Sequence, residues 1–218
     1  SRGLRIKDAL RLLFTPLMYV AHKIHGGSLD FLGYHIPGHS LLIIKTWDNF
    51  MFLVRPKTSD LDYATLLPEY YEYTSWFNPY IRQAKIYIDV GANIGGYTVR
   101  ACKYANLVIA IEPCIENFLI LKNNIELNNC RNVHTLRMAI GRGKERTLLK
   151  VPKDNKYFYA GSPSIVREFP GNFEQELVDV DTLDDVIDYL SLNKIDFLKI
   201  DIEGAEGVAF EGMINTLK

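Results

Sequence analysis

The pattern of apolar and polar positions changes near residue 85. Before this point, short apolar runs at 41–44 and 50–54 predict the two strands of a hairpin. After it, longer apolar runs alternate with segments of helical period, which is typical of a parallel α/β sheet. We therefore divide the chain into an N-terminal extension, residues 1–80, and an α/β domain, residues 81–218.

The α/β domain is predicted to contain core strands separated by helices and by two further strands. The core strands are expected at 86–90, 107–112, 133–140 and 195–200. The further strands are expected at 147–151 and 175–180, and the helices at 97–104, 118–127, 183–190 and 205–217. This order predicts a sheet with helices packed against it.

The N-terminal extension opens with a pattern that predicts a basic helix over residues 4–25, bent at Pro16. Residues 1–25 carry five Lys or Arg and one Asp, so this helix either packs against the domain or makes peripheral contact with an anionic membrane. Its apolar run is too short to span a bilayer. The aromatic segment 70–77 also has two interpretations: it covers a bound substrate, or it packs in the core against the sheet.

Composition narrows the class of protein. The chain has 218 residues, of which 48% are apolar and 23% charged, which excludes a disordered, collagenous or coiled-coil protein. The formal net charge of −1 provides no cationic field for nucleic acid, so no nucleic-acid partner is predicted. Residues 174–218 nevertheless carry twelve Asp or Glu and three Lys, so acidic groups concentrate around the fourth core strand.

Cysteine and histidine spacing predicts neither a disulfide framework nor a metal site. Cys102, Cys114 and Cys130 are odd in number and lack zinc-ligand spacing, which favours a reducing compartment, the cytoplasm. Two histidine pairs, at 22 and 25 and at 35 and 39, have spacings that resemble metal ligands. Because they lie outside the chemistry-bearing motifs, we interpret them as surface or turn residues.

The most informative segment is the glycine-rich turn Asp89-Val-Gly-Ala-Asn-Ile-Gly-Gly96, between the first core strand and its helix. Open α/β sheets bind ligands at such a position. Gly91 permits the tight turn, and Gly95 and Gly96 allow close approach of a ligand and packing of helix on strand. A turn kept only for packing is the alternative.

Two residues indicate which ligand this turn accepts. A dinucleotide fingerprint places glycine where this chain has Asn93, because the pyrophosphate must approach the helix there. Glu112 ends the second core strand, where an acid accepts hydrogen bonds from ribose hydroxyls. A ribose without a pyrophosphate predicts S-adenosylmethionine as the cofactor, and Asn93 argues against a reductase that uses NAD.

With these motifs the chain resembles the FkbM-type S-adenosylmethionine-dependent methyltransferases. The resemblance runs from about Phe52 to the end and rests on five segments: Leu53-Val-Arg-Pro-Lys-Thr-Ser-Asp60, the turn from Asp89 to Thr98, Glu112-Pro113, Val180-Asp-Thr-Leu-Asp184 and Leu198-Lys-Ile-Asp-Ile-Glu-Gly-Ala-Glu206. It implies a Rossmann-like fold. It also implies that the methionine end contacts Asp89, Gly91, Asn93 and Gly95, the ribose Glu112, and the adenine Met138 and Ala139, at the tip of the third strand.

The end of the fourth core strand carries a second acidic group of residues. Asp201 and Glu203 are predicted to alternate along extended backbone, and Glu206 falls in the first turn of the next helix, where a carboxylate caps the helix. Because O-methylation removes a proton from a hydroxyl, Asp201 or Glu203 is expected to act as a general base or positioning group. A metal held by the same acids is the alternative, which we favour less.

The function that the resemblance implies is S-adenosylmethionine-dependent O-methylation of a hydroxyl on a sugar, glycan or secondary metabolite. A non-catalytic nucleotide- or sugar-binding module with the same fold is the alternative, and a homo-oligomer is compatible with either. The family sheet has the strand order 3-2-1-4-5-7-6, and only 3-2-1-4 is found here. We therefore expect the polypeptide to continue beyond Lys218, or another chain or the N-terminal region to cover the fourth strand.

Overall fold

The computed structural model describes residues 19–22, 31–35, 41–46, 48–55, 62, 78–152, 163–166 and 172–218. Eleven strands are found there: β1 Tyr19–His22, β2 Phe31–His35, β3 Leu42–Lys45, β4 Met51–Val54, β5 Ile86–Val90, β6 Leu107–Ile111, β7 Val133–Leu136, β8 Ala139–Ile140, β9 Glu145–Pro152, β10 Phe173–Asp181 and β11 Phe197–Ile200. The helices of the same residues are α1 Asn78–Gln83, α2 Gly96–Ala101, α3 Ile115–Leu127, α4 Leu183–Tyr189 and α5 Glu206–Glu211.

A parallel four-stranded sheet with the order β11-β5-β6-β7 forms the centre of the α/β domain. It confirms the predicted Rossmann-like order 3-2-1-4. Ile88 and Ile109 face one side and pack with residues of α4 and α5. Tyr87 and Val108 face the other side, where α1 and α2 lie. Because both faces are covered, these strands read as continuous apolar runs, and their carboxyl ends meet at one edge.

The N-terminal strands form a separate antiparallel sheet, β1-β2-β3-β4, which contains the predicted hairpin as β3 and β4. The predicted helix over residues 4–25 is wrong where it is described, because Tyr19–His22 pairs along its whole length with β2. Tyr and Val favour strands, and pairing overrides a helical pattern. The rest of that segment and the aromatic segment 70–77 lie outside the described residues.

Two asparagines of α3 attach the N-terminal sheet to the α/β domain. The Asn124 side chain accepts a hydrogen bond from Leu53 N at 2.6 Å and donates to Leu53 O and Ile94 O. The Asn128 side chain accepts from Met51 N at 2.9 Å and donates to Met51 O at 2.7 Å. Around these bonds, apolar residues of β3 and β4 pack with residues of α2 and α3. The hairpin and the α/β domain therefore share one core.

The predicted third strand is divided in two, which corrects the place given to Met138 and Ala139. β7 ends at Leu136, and Ala139 begins β8, which pairs with Val180 of β10 in a second sheet, β8-β10-β9. Between the two strands, Arg137 forms an ion pair with Glu176 of β10 at 2.5 Å. This ion pair and the β8–β10 pairing hold the chain where it passes from the central sheet to the second sheet.

The predicted C-terminal helix over 205–217 is also shorter in the structure, because α5 ends at Glu211. A Cβ at Gly212 would lie 2.0 Å from the carbonyl oxygen of Gly141, so the chain passes too close to Gly141 for a side chain there. Gly212 O accepts a hydrogen bond from Asp184 N at the start of α4. Among the described residues, no helix is long and apolar enough to cross a membrane.

The cysteine prediction is wrong, because Cys102 and Cys130 form a disulfide with a Cα–Cα distance of 5.8 Å. Cys102 follows α2 and Cys130 follows the turn after α3, so the bond joins the ends of two neighbouring helices. Cys114 is free and buried. Spacing along the chain failed here because the partners, 28 residues apart, are brought together only by helix packing.

Candidate active site

The glycine-rich turn after β5 is held between the ends of two neighbouring strands. Gly91 has a φ of +77°, and a Cβ there would lie 1.9 Å from the carbonyl oxygen of Asp201 after β11. On the other side, Gly91 N and Ala92 N both donate to Ile111 O at the end of β6. Only glycine fits at position 91, and the turn is fixed relative to β6 and β11.

The middle of the turn presents Asn93 rather than glycine. Asn93 has a φ of 51°, in the left-handed region that asparagine tolerates better than most residues. Its backbone N–H donates to Glu112 Oε2 at 2.9 Å. Its buried side-chain Oδ1 has no hydrogen-bond partner among the described residues. A buried acceptor of this kind needs a donor from water or from a ligand.

Glu112 is 4% exposed and is held by backbone and side-chain donors. Besides the Asn93 N–H, its carboxylate accepts from Cys114 N at 3.1 Å and from Asn117 Nδ2 at 3.4 Å. Burial raises the pKa of Glu112 to about 7, because it outweighs these donors and the charge of Lys199. The acid predicted to accept ribose hydroxyls is therefore also a structural anchor of the turn.

A cleft opens at the carboxyl ends of β5, β6 and β11, where parallel sheets bind ligands. The residues predicted for the site that line it are Gly91, Asn93, Glu112, Met138, Ala139, Asp201 and Glu203. Asp89 and Gly95 do not line it. The structure thus brings seven of the nine predicted residues together, while the binding and catalytic role of each stays a prediction.

Asp89 and Gly95 support the turn from behind, and their contact with a ligand stays a prediction. A Cβ at Gly95 would lie 2.7 Å from Leu121 Cδ1, so glycine is needed for packing against α3. The Asp89 carboxylate is fully buried; its Oδ2 accepts from Thr98 Oγ1 at 2.6 Å, and its Oδ1 lies 3.3 Å from Lys199 Nζ. Lys199 Nζ also donates to Gly91 O at 2.8 Å.

The acids after β11 differ in their surroundings. Asp201 lines the cleft with its side chain 56% exposed. Glu203 is not extended as predicted: its φ is 55°, and its carbonyl oxygen accepts from Ser164 Oγ at 3.0 Å. Glu206 accepts from Ile202 N at 2.9 Å, which confirms its structural role at the start of α5. Among the described residues, no group of three or more His, Cys, Asp or Glu side chains is arranged to hold a metal ion.

Sequence analysis did not single out several residues that line the cleft, among them Lys199, Asn117 and Ser164. Lys199 could have been identified from the sequence, because it lies inside an otherwise apolar strand, where a buried lysine must have a partner. No pattern in the sequence identifies Asn117 or Ser164 as a site residue. Ser164 reaches the cleft through a bridge between its backbone and that of Lys150 on β9, a contact that depends on the tertiary fold.

Comparisons with known proteins identify similar sequences. The family model described as "Methyltransferase FkbM domain" matches residues 89–218. "Methyltransferase 1" of Beauveria bassiana (strain ARSEF 2860) is 26% identical over 142 residues, which are 58% of this chain and 57% of that protein. The chain thus spans little more than half the length of this relative.

Two solved structures are also similar. A methyltransferase FkbM from Methylobacillus flagellatus KT has a TM-score of 0.45 and 23% identity over 72% of this chain and 40% of that chain. TYW2 from M. jannaschii, in complex with AdoMet, has a TM-score of 0.36 and 20% identity over 47% of this chain and 45% of that chain. The family match covers the cleft and more than half of the sequence, and the chain therefore belongs to the FkbM methyltransferase family.

Proposed function

We propose that the cleft binds S-adenosylmethionine and that the protein transfers its methyl group to a hydroxyl oxygen of a sugar, glycan or secondary metabolite. The observation that carries the proposal is the bond between the turn and the buried acid, Asn93 N–H to Glu112 at 2.9 Å. This bond supports the proposal because it joins the candidate ribose acceptor to a turn that has Asn93 where a dinucleotide fingerprint reserves glycine for the approach of a pyrophosphate.

The charges of the cleft support a cationic cofactor. The Asp, Glu, Lys and Arg side chains that line it, among the described residues, are three carboxylic acids, Glu112, Asp201 and Glu203, and one base, Lys199. S-adenosylmethionine carries a positive sulfonium, whereas the diphosphate of NAD is doubly negative. An acidic lining attracts the first and repels the second, because charges close together in a partly buried site interact strongly.

Each part of the cofactor has a candidate contact among the residues present. Glu112 is placed to accept the ribose hydroxyls, Met138 and Ala139 to contact the adenine, and the free Oδ1 of Asn93 to accept from the methionine ammonium. When bound, S-adenosylmethionine supplies an electrophilic methyl group whose sulfur leaves as a neutral thioether. The protein has to hold the acceptor hydroxyl in line with that methyl group and accept its proton.

Asp201 is the candidate acceptor of the hydroxyl proton, because its exposed side chain lines the cleft at the end of β11. A carboxylate within hydrogen-bonding reach of the acceptor takes the proton as the new carbon–oxygen bond forms. Glu203 is the second candidate. Its backbone is fixed by Ser164, so its side chain starts from a defined position.

Calorimetry with S-adenosylhomocysteine and with NAD tests the proposal. We expect the first to bind in the micromolar range and the second not to bind. Incubation with methyl-labelled S-adenosylmethionine and a panel of hydroxyl compounds then reads transfer by mass spectrometry. Binding of NAD without S-adenosylhomocysteine contradicts the proposal, and cofactor binding with no transfer to any hydroxyl favours the non-catalytic module.

The cytoplasmic location stays a prediction. The Cys102–Cys130 disulfide argues against it, because disulfides persist in oxidising compartments and are rare in reducing ones. Trapping the thiols with a mass-tagged alkylating reagent in intact cells decides the question. Three tagged cysteines indicate a reducing compartment, and one indicates an oxidising compartment.

A further inference from the structure

The geometry points to Lys199 as the residue that binds the carboxylate of the cofactor's methionine end. This inference rests on the proposed function. Lys199 lies in β11 directly beside Asp89 of β5, and both side chains are on the sheet face that carries α2. Only 17% of the Lys199 side chain is exposed, yet it lines the cleft.

Lys199 is the only cationic residue among the described residues that line the cleft. Burial alone would lower the pKa of Lys199, but Asp89 and Asp201 outweigh burial and raise it above its ordinary value. The ammonium is therefore charged at neutral pH. Because the other charged side chains that line the cleft are carboxylates, a carboxylate on the ligand has its favourable ionic partner in this ammonium.

The contacts of Lys199 Nζ leave one donor for a ligand. An ammonium has three N–H donors. One goes to Gly91 O at 2.8 Å, and a second faces Asp89 Oδ1 at 3.3 Å in an ion pair. Nζ also lies 5.4 Å from the centroid of the Tyr97 ring, which lines the cleft beside it. The nearest oxygen of Asp201 is 3.8 Å away, longer than a hydrogen bond. Because Asp89 lies behind the cleft lining, it balances the charge of Lys199 without blocking that donor.

The strand order also orients the ligand. Lys199 belongs to β11 and Glu112 follows β6, so the two residues lie on opposite sides of the β5 turn. A ligand with its ribose at Glu112 and its carboxylate at Lys199 spans the turn and passes Asn93 between them.

Calorimetry with three probes tests the role of Lys199: S-adenosylhomocysteine, its decarboxylated analogue, which keeps the amine, and 5′-methylthioadenosine, which lacks the amino-acid part. For the natural chain we expect the analogue to bind roughly 10- to 100-fold more weakly than S-adenosylhomocysteine. In Lys199→Met, we expect S-adenosylhomocysteine to weaken by the same factor and the analogue to be unaffected. Lys199→Arg keeps the cation and should retain a preference for the carboxylate.

A purely structural role for Lys199 predicts a different result, because loss of the Gly91 contact would weaken all three probes equally. That outcome overturns the inference. If Lys199→Met does not fold, the natural chain still decides: an analogue that binds within threefold of S-adenosylhomocysteine overturns it. If neither S-adenosylhomocysteine nor 5′-methylthioadenosine binds the natural chain, the proposed function itself has failed.

Discussion

Asn93 donates its backbone N–H to the carboxylate of Glu112 at 2.9 Å, so the middle of the glycine-rich turn is bonded to the acid that follows β6. The two motifs that indicated a nucleoside cofactor are therefore parts of one structure. A change in the charge of Glu112 acts directly on the turn, because the acceptor of the Asn93 N–H is itself the titrating group.

The pH dependence of stability should report the burial of Glu112. Its pKa is raised from 4.5 to about 7, so the folded state favours the protonated acid. The stabilisation that results from this preference is fully present below pH 4.5 and is lost as pH rises through 7. It amounts to about 3 kcal/mol of the free energy of unfolding, and about 2 kcal/mol of that is lost between pH 5.5 and 8. Urea denaturation of the natural chain and of Glu112→Gln should show a slope only in the natural chain. Equal slopes would mean that Glu112 ionises as freely as in water.

Glu112→Ala should weaken binding of S-adenosylhomocysteine by about 1.5–3 kcal/mol, or roughly 10- to 150-fold, through loss of charge-assisted hydrogen bonds to the ribose. Glu116→Ala is the matched control, because Glu116 is the same residue type in the first turn of α3, its side chain is 48% exposed and it does not line the cleft. Calorimetry at one pH measures both variants. Unchanged affinity in Glu112→Ala would contradict the assignment of the ribose to Glu112.

Asp201→Asn should reduce turnover on an identified hydroxyl acceptor by on the order of 10²–10⁴, because the amide cannot take the proton. The affinity for S-adenosylhomocysteine should stay within about threefold. Asp188→Asn, at an exposed acid of α4, is the control and should behave like the natural chain. Full activity in Asp201→Asn would transfer the role to Glu203, which the same assay then tests.

Asn124→Ala should lower the free energy of unfolding by about 2–3 kcal/mol, because it leaves buried backbone groups of Leu53 and Ile94 without partners. Asn123→Ala removes a partly exposed asparagine one position earlier, with a single bond to Leu119 O, and should change stability by less than about 0.5 kcal/mol. Chemical denaturation followed by tryptophan fluorescence compares them. Similar losses in both variants would contradict the role assigned to Asn124.

Replacing both Cys102 and Cys130 by serine should lower stability by about 3.5 kcal/mol, since the disulfide closes a loop of 28 residues that is open in the unfolded variant. Reductant should destabilise the natural chain similarly and leave the double variant unaffected. Thiol titration in denaturant provides an independent check. One reactive thiol before reduction and three after it are expected, and three before reduction would contradict the disulfide.

The central sheet and the cleft were predictable because their signals are local. Buried parallel strands read as apolar runs, and the turn from Asp89 to Gly96 combines glycines with an acid at the next strand tip. What failed depends on contacts between distant segments: the pairing of Tyr19–His22 with β2, the departure of Ala139 toward β10 and the Cys102–Cys130 bond. In each case the partner lies in another element, and the pattern around one residue does not identify it.

The two asparagines of α3 make a helix act as the neighbouring strand of a sheet. A carboxamide carries the same donor and acceptor as a peptide group, and Asn124 and Asn128 offer theirs to Leu53 and Met51 in antiparallel order. Four residues along a helix rise about 6.0 Å, and two along a strand about 6.6 Å, so the spacings nearly match. The outer edge of β4 is thereby closed to a further strand, and edge-to-edge association through β4 would first have to detach α3.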